Sequence, residues 1–245
     1  MSDVQALLAS AVLSATGFAP VSHSDLMYKL DCISPSGQTA MRDSMKVGIA
    51  MILQLNQMLG RLGAGQVWNF LHIVITDGQD TQSSTSLQDL CGLMMAVGMT
   101  IPVSRCRTVI IGIDLDADAN GRAQLMAINQ LGGENCDIYD VGSVNVGEIF
   151  SRLSVSLGVR RTTNVMGVQM GGRGALVVQQ RNQPVLQVSQ KRFAVLFNLD
   201  VSGSMSGPRW SRVKESVRSF LSQMPEGDLV AGIVFNGQVH PITKQ

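Results

Sequence analysis

The sequence predicts an α/β fold: a Rossmann-like, open, mostly parallel sheet of six strands with one antiparallel edge strand and helices on both faces. Continuous apolar runs, typical of parallel strands that are covered on both faces, recur along the chain. Segments of helical length and spacing alternate with these runs, as in βαβ units. The chain has 245 residues, of which 45% are hydrophobic and 15% charged, so it can bury one large core.

The first third of the chain opens with a predicted helix over residues 3–15, where apolar residues follow helical spacing behind a cap at Ser2. This segment resembles a signal peptide in its apolar centre, but it lacks a basic start and carries Asp3 instead. A polar loop is expected to follow as far as Gly37. A long helix is predicted next, over residues 39–60.

The middle of the chain alternates strands and helices. Ser84 or Thr85 is the expected cap of the first of these helices, because short hydroxyl side chains favour that position. Predicted strands cover residues 69–76, 108–113 and 136–141, and predicted helices cover residues 85–98, 121–131 and 145–157.

Residues 158–190 interrupt the alternation, because they are rich in glycine and show no helical stripe; residues 175–190 could form a small hairpin. Strand 193–199 and helix 208–223 follow this connector. The last two predicted strands, 228–235 and 239–243, are joined by an Asn-Gly turn. This turn predicts the antiparallel edge strand of the sheet.

Composition excludes several classes of function. A net charge of +1 and 4% aromatic residues give no basis for binding nucleic acid or an anionic membrane. No apolar run reaches the roughly 18 residues of a membrane span. The four cysteines show no metal-binding or redox spacing and are interpreted as reduced, mostly buried thiols, Cys32, Cys91, Cys106 and Cys136. A cytoplasmic location is therefore expected.

The loop after strand 193–199 carries short oxygen-bearing side chains at alternate positions, Asp200, Ser202 and Ser204. Such side chains at the end of a buried strand suit a hard divalent cation. This Asp-x-Ser-x-Ser spacing resembles the signature of von Willebrand factor type A domains. The rest of that family's pattern lies upstream of the signature, with Thr39 in a Ser-Gly-Gln-Thr turn and Asp77 in a Thr-Asp-Gly turn.

The order of the motifs implies a single, circularly permuted type A domain spanning residues 1–245. Residues 191–245 resemble the amino-terminal part of the family pattern, and residues 1–157 resemble the remainder. A Gly-rich connector of about 30 residues could join the original ends, which lie close together in many domains. Alternatively, the two parts belong to different domains, and neighbouring chains complete each other by exchanging segments.

The resemblance implies a metal-dependent protein-binding module and not an enzyme. Its ion would be Mg²⁺, or alternatively Mn²⁺ or Ca²⁺, held by Asp200, Ser202, Ser204, Thr39 and Asp77. An Asp or Glu of a partner protein would complete the coordination of the ion, and the family's last helix, near residues 145–157 here, can shift on engagement. The alternatives are a self-assembling structural protein and a metal-dependent hydrolase; the first would be a segment-exchanged oligomer instead of a monomer. A simpler interpretation is that the hydroxyl residues only cap helices and turns.

Two further features contain residue types that can act as ligands. Asp116, Asp118 and Asn120 resemble part of a calcium loop, but the twelfth position is Ala127, where that loop needs a glutamate. A solvated loop and helix cap is the favoured interpretation. His72 lies inside an apolar run and is interpreted as a core residue.

Overall fold

The computed structural model describes residues 15–20, 23–65, 68–115, 118–141, 147–150, 192–225 and 227–243. The predicted helix 3–15, except for its last residue, lies outside the described residues. So do the connector 158–190 with its hairpin, and Asp116. Of the predicted helix 145–157, residues 147–150 are described, and they are helical.

The described residues form seven strands and five α-helices, besides the helical residues 147–150. The strands are β1 (Ala19–Pro20), β2 (Trp68–Thr76), β3 (Cys106–Ile113), β4 (Cys136–Val141), β5 (Arg192–Asp200), β6 (Leu229–Phe235) and β7 (Val239–Pro241). The helices are α1 (His23–Asp31), α2 (Met41–Arg61), α3 (Leu87–Thr100), α4 (Ala119–Gly132) and α5 (Pro208–Leu221).

All strands belong to one sheet with the order β1-β6-β5-β2-β3-β4, in which β7 also pairs with β6. Every neighbouring pair from β6 to β4 is parallel, whereas β1 and β7 run antiparallel to β6. The predicted fold class, a Rossmann-like and mostly parallel α/β sheet, is therefore confirmed. The predicted count of six strands is wrong by one, because Ala19–Pro20 pairs with Leu229 and Val230. Two residues are too few to produce a strand pattern in the sequence.

Strand β5 lies at the centre of the sheet although it comes late in the chain. It pairs in parallel with β6 on one side and with β2 on the other, where the register runs from Trp68 opposite Arg192 to Ile75 opposite Leu199. The carboxyl ends of parallel neighbours meet at the same edge of the sheet. The loops that follow β5 and β2 are therefore brought together across more than 120 residues of sequence.

Helices cover both faces of the sheet. On one face α1, α5 and residues 147–150 pack on the odd-numbered residues of β2, β3 and β5. The rings of Phe150, Phe197 and Phe220 lie within 6.1 Å of one another, centroid to centroid, at tilted or edge-on angles that favour aromatic packing. Helices α2, α3 and α4 cover the other face.

Helix α2 approaches the sheet closely at Gly48. A Cβ atom at this position would lie 2.8 Å from Leu196 Cδ2 and 2.9 Å from His72 Nε2. The missing side chain therefore makes room for a buried polar pair, in which His72 Nε2 and Asn198 Nδ2 are 3.0 Å apart. His72 is fully buried, which agrees with its interpretation as a core residue.

The predicted loop before Gly37 is wrong in part, because it contains helix α1. Leu26, Met27 and Leu30 are buried in the core on the face of α5. The end of α1 is tied to α5 by an ion pair in which Asp31 Oδ1 lies 3.1 Å from Lys214 Nζ. These stabilising contacts are tertiary. A nine-residue segment has little intrinsic helical stability, so its sequence gives only a weak helical signal.

The expected cap of helix α3 is also corrected. Ser86 is the N-cap, and its hydroxyl accepts a hydrogen bond from the backbone N–H of Asp89 at 3.0 Å. The backbone N–H groups of Ser84 and Thr85 instead donate to the carboxylate of Asp43, at 2.9 and 2.8 Å. Because Asp43 lies in the first turn of α2, this contact joins two helices.

Candidate metal-binding site

The candidate site lies where the neighbouring strands β5 and β2 end. Asp200 is the last residue of β5, and Asp77 directly follows Thr76, the last residue of β2. Buried parallel strands force these two carboxylates to the same edge of the sheet. Sequence alone predicted this placement.

Asp200 organises the base of the site and is fully buried. Its Oδ2 accepts a hydrogen bond from the hydroxyl of Thr76 at 2.6 Å, and its Oδ1 accepts one from the backbone N–H of Ser202 at 2.8 Å. Burial raises the pKa of Asp200 to about 6, because desolvation penalises the charged form more than these two hydrogen bonds favour it.

Oxygen atoms from both loops meet above Asp200. Ser202 Oγ and Ser204 Oγ are 3.1 Å apart, and the Ser204 hydroxyl donates to Asp77 Oδ1 at 2.8 Å. Burial raises the pKa of Asp77, although its hydrogen bonds with Ser204 and Arg209 oppose the rise. Two hydroxyls and one carboxylate therefore form a continuous row across the two strand ends.

Backbone hydrogen bonds fix the Thr39 turn against the β5 loop. Ser36 N–H donates to the carbonyl of Val201 at 2.7 Å, and Gly203 N–H donates to the carbonyl of Gly37 at 3.0 Å. Gly37 has a φ of 85°, in the left-handed region that glycine adopts without strain. The turn that carries Thr39 is thus held in place from a distant part of the chain.

The structure brings the five predicted ligands to one place. Four of them line a single cleft of about 480 Å³, namely Thr39, Asp77, Ser202 and Ser204. The fifth, Asp200, lies buried behind the cleft and reaches it through the backbone of Ser202. That these residues bind a metal remains a prediction.

The donor set of this cleft fits a hard cation. Hydroxyl and carboxylate oxygens are the ligand types of Mg²⁺, which retains several waters and takes few protein carboxylates. Within the described part of the chain, no group of three or more His, Cys, Asp or Glu side chains is suited to hold a metal. A cation in this cleft would therefore depend on the serine and threonine hydroxyls and on water, in addition to Asp77 and Asp200.

Sequence reasoning did not assign Arg209 and Asp114 to the cleft. Arg209 in α5 donates from Nη1 to Asp77 Oδ2 at 2.8 Å and from Nε to Asp114 Oδ2 at 3.0 Å. Asp114 directly follows β3 and has a φ of 54°, and no other non-glycine residue in the described ranges has a positive φ. The helical position of Arg209 and the turn position of Asp114 carry no signal that they meet.

The predicted calcium-like loop is described only in part. Asp118 is the N-cap of α4, where its Oδ1 accepts from the backbone N–H of Gly121 at 2.9 Å. Its Oδ2 accepts from the backbone N–H of Gln79 at 3.1 Å. Both oxygens of Asp118 thus bind backbone amides, and Asn120 lies within α4. This geometry agrees with a helix cap, whereas Asp116 lies outside the described residues.

Comparisons with known proteins do not assign a family to this chain. No family model matches the chain, and no curated protein matches it. A solved structure that resembles it belongs to an uncharacterized protein from Alicyclobacillus acidocaldarius subsp. acidocaldarius DSM 446. That similarity has a TM-score of 0.43 at 18% identity and covers 72% of this chain and 79% of the other. None of the helices in the described ranges has the length and apolar character needed to cross a membrane.

Proposed function

We propose that this chain is a circularly permuted von Willebrand factor type A domain that binds Mg²⁺ and uses it to hold an acidic residue of a partner protein. The observation that carries this proposal is the row of oxygens formed by Ser202, Ser204 and Asp77. These side chains come from two loops that are distant in sequence. Capping alone would not require the serine hydroxyls to meet a carboxylate from another strand.

In the proposed chemistry, the main role of the protein is to hold the ligands of the ion in place. When bound, the ion would supply a positive centre with open coordination positions for a carboxylate. Asp200 holds the backbone of the Ser202 loop, and Asp77 holds the hydroxyl of Ser204. Because both aspartates are almost fully buried, their charges attract a cation in a region of low dielectric. Mn²⁺ or Ca²⁺ would suit the same oxygen ligands.

The single-domain interpretation is supported by the pairing of β5. This strand pairs with β2 and β6 of the same chain, and β2 belongs to the part that precedes the connector. A segment-exchanged oligomer would form the same strand pairs between two chains. The proposed form is the monomer, in which one chain forms them all. The three buried cysteines are free, which suits a protein that works in the reducing cytoplasm.

Calorimetric titration with MgCl₂ tests the cation site. Wild-type protein should bind Mg²⁺ at one saturable site, whereas Ser204→Ala and Asp77→Ala should each weaken binding by at least about tenfold, or 1.4 kcal/mol. Each variant removes an oxygen from the row described above. The control is Ser211→Ala in α5, whose exposed hydroxyl donates to the carbonyl of Gly207 at the start of the same helix and should be dispensable. Unchanged Mg²⁺ affinity in both site variants would refute the site.

A further inference from the structure

Arg209 occupies an unusual position for a positive charge. It is the second residue of α5, within the first turn, and that turn contains no acidic residue. The partial positive charge at a helix N-terminus disfavours a cation there. A residue that breaks a local rule of this kind is expected to be compensated by other contacts or to serve a function.

The compensation comes from the cleft. Besides its two carboxylate partners, Arg209 Nη1 donates to the carbonyl oxygen of Ser204 at 3.1 Å. The guanidinium group is therefore fixed by Asp77 on one side and by Asp114 on the other. Asp114 keeps this contact in a left-handed backbone conformation that is uncommon outside glycine.

Part of the guanidinium group is available to a ligand. Arginine has five N–H donors. The hydrogen bonds that Arg209 makes with described residues come from Nε and Nη1, and Nη2 makes none with them. The Arg209 side chain is 35% exposed and lines the cleft, whereas the side chain of Asp77 is 1% exposed. Of the two partners in this ion pair, Arg209 is therefore the more accessible to solvent.

We propose that Arg209 is a second anchor for the partner's carboxylate, acting beside the cation. This inference rests on the proposed cation site. A cation coordinated by Asp77 competes with Arg209 for that carboxylate, while Asp114 continues to hold Arg209 Nε at the cleft. An Asp or Glu of the partner then binds the ion with one oxygen and accepts a charge-assisted hydrogen bond from Nη2 of Arg209 with the other.

Two opposite effects follow from removing the guanidinium. Arg209→Gln is expected to tighten the binding of Mg²⁺ about tenfold, because a competing positive charge leaves Asp77. The same variant is expected to weaken the binding of a carboxylate about tenfold, because one of its two anchors is lost. A structural defect would weaken both.

Binding would be measured for wild type, Arg209→Gln and Arg209→Lys by NMR titration, first with Mg²⁺ alone. The second titration, at saturating Mg²⁺, uses acetyl-Gly-Glu-Gly-amide and its glutamine counterpart as the uncharged control. Arg209→Lys keeps the charge but loses the rigid guanidinium plane, in which Asp114 holds Nε while Nη2 is free to donate, so it should bind Mg²⁺ like the wild type and the glutamate peptide more weakly. Arg218→Gln is the matched control, since Arg218 pairs with Asp31 near the other end of α5.

The outcomes separate this inference from the proposed function. Tighter binding of Mg²⁺ together with weaker binding of the glutamate peptide in Arg209→Gln supports the second anchor. If the wild type binds Mg²⁺ and the glutamate peptide, and Arg209→Gln binds both with the same affinities, the second anchor alone is overturned. A wild-type protein that binds no Mg²⁺ overturns the proposed function, and the inference with it. Wild-type protein that binds Mg²⁺ but shows no preference for the glutamate peptide overturns the inference as well.

Discussion

Replacing Asp200 with Asn is expected to stabilise the cation-free protein at pH 8 by about 3 kcal/mol and to abolish its further stabilisation by Mg²⁺. The gain arises because Asn carries no charge that must be desolvated, while it can keep both hydrogen bonds of Asp200. Its Oδ1 accepts from the Ser202 N–H, and its Nδ2 donates to the Thr76 hydroxyl, which can accept as well as donate.

The pH dependence of this gain has a definite sign. The pKa of Asp200 rises from 3.8 in the unfolded chain to about 6 in the folded protein. The folded state therefore binds more protons between these values, so the contribution of Asp200 to stability is fully present below pH 3.8 and is lost as the pH rises through 6. The advantage of Asn should accordingly vanish below pH 3.8.

Urea denaturation of both proteins from about pH 3.5 to about pH 8, with and without Mg²⁺, measures this difference. Asp140→Asn is the control, since Asp140 is exposed and pairs with Arg122 at the surface. Loss of such a pair should change stability by about 1 kcal/mol or less. If the Asp200→Asn protein is less stable than wild type at pH 8 without Mg²⁺, burial does not disfavour the charged carboxylate of Asp200.

His72 is expected to lower the free energy of unfolding by about 3 kcal/mol when the pH falls from 7.5 to 4, and His72→Gln is expected to abolish this decrease. Burial lowers the pKa of His72 from 6.5 to about 3. The unfolded chain therefore binds more protons, and the stability that His72 contributes above pH 6.5 is lost as the pH falls towards 3. Gln cannot titrate, and its carbonyl can accept the hydrogen bond of Asn198 Nδ2 in place of His72 Nε2.

The measurement is best made in the Asp200→Asn background, because Asp200 and His72 act in opposite directions between about pH 4 and 6. In that background, the unfolding free energy of the protein that retains His72 should fall steeply on acidification. The unfolding free energy of the His72→Gln variant should fall less. The control is His240→Gln on the exposed strand β7. If the unfolding free energy changes equally with pH in the protein that retains His72 and in the His72→Gln variant, His72 is not buried in its neutral form.

Much of the fold was predictable because buried parallel strands leave a strong signal. The runs that became β2, β3 and β5 are apolar on both faces, and this pattern is what a central strand requires. Asp77 and Asp200 could be placed at one edge of the sheet for the same reason. The alternation of strands and helices predicted the parallel sheet, whereas the expectation that the distant loops meet came from the resemblance to type A domains.

The features that were missed depend on contacts between distant residues. Helix α1 is held by its packing on α5, and the amino end of α2 is held by Asp80, whose Oδ2 accepts from the backbone N–H of Arg42 at 2.7 Å. The contact between Arg209 and Asp114 likewise joins residues 95 positions apart. Such pairs have no periodicity and no fixed spacing, so a single sequence does not reveal them.

Residues on both sides of the connector are expected to hold one ion. Crystals grown with Mn²⁺, which replaces Mg²⁺ at oxygen sites and scatters anomalously, test this claim most directly. One anomalous peak is predicted in the cleft, about 2.1 Å from the hydroxyl oxygens of Ser202 and Ser204 and bonded to Asp77 directly or through water. Crystals that bind Mn²⁺ elsewhere, or in which the Ser202 loop and Asp77 lie apart without a shared peak, would contradict it.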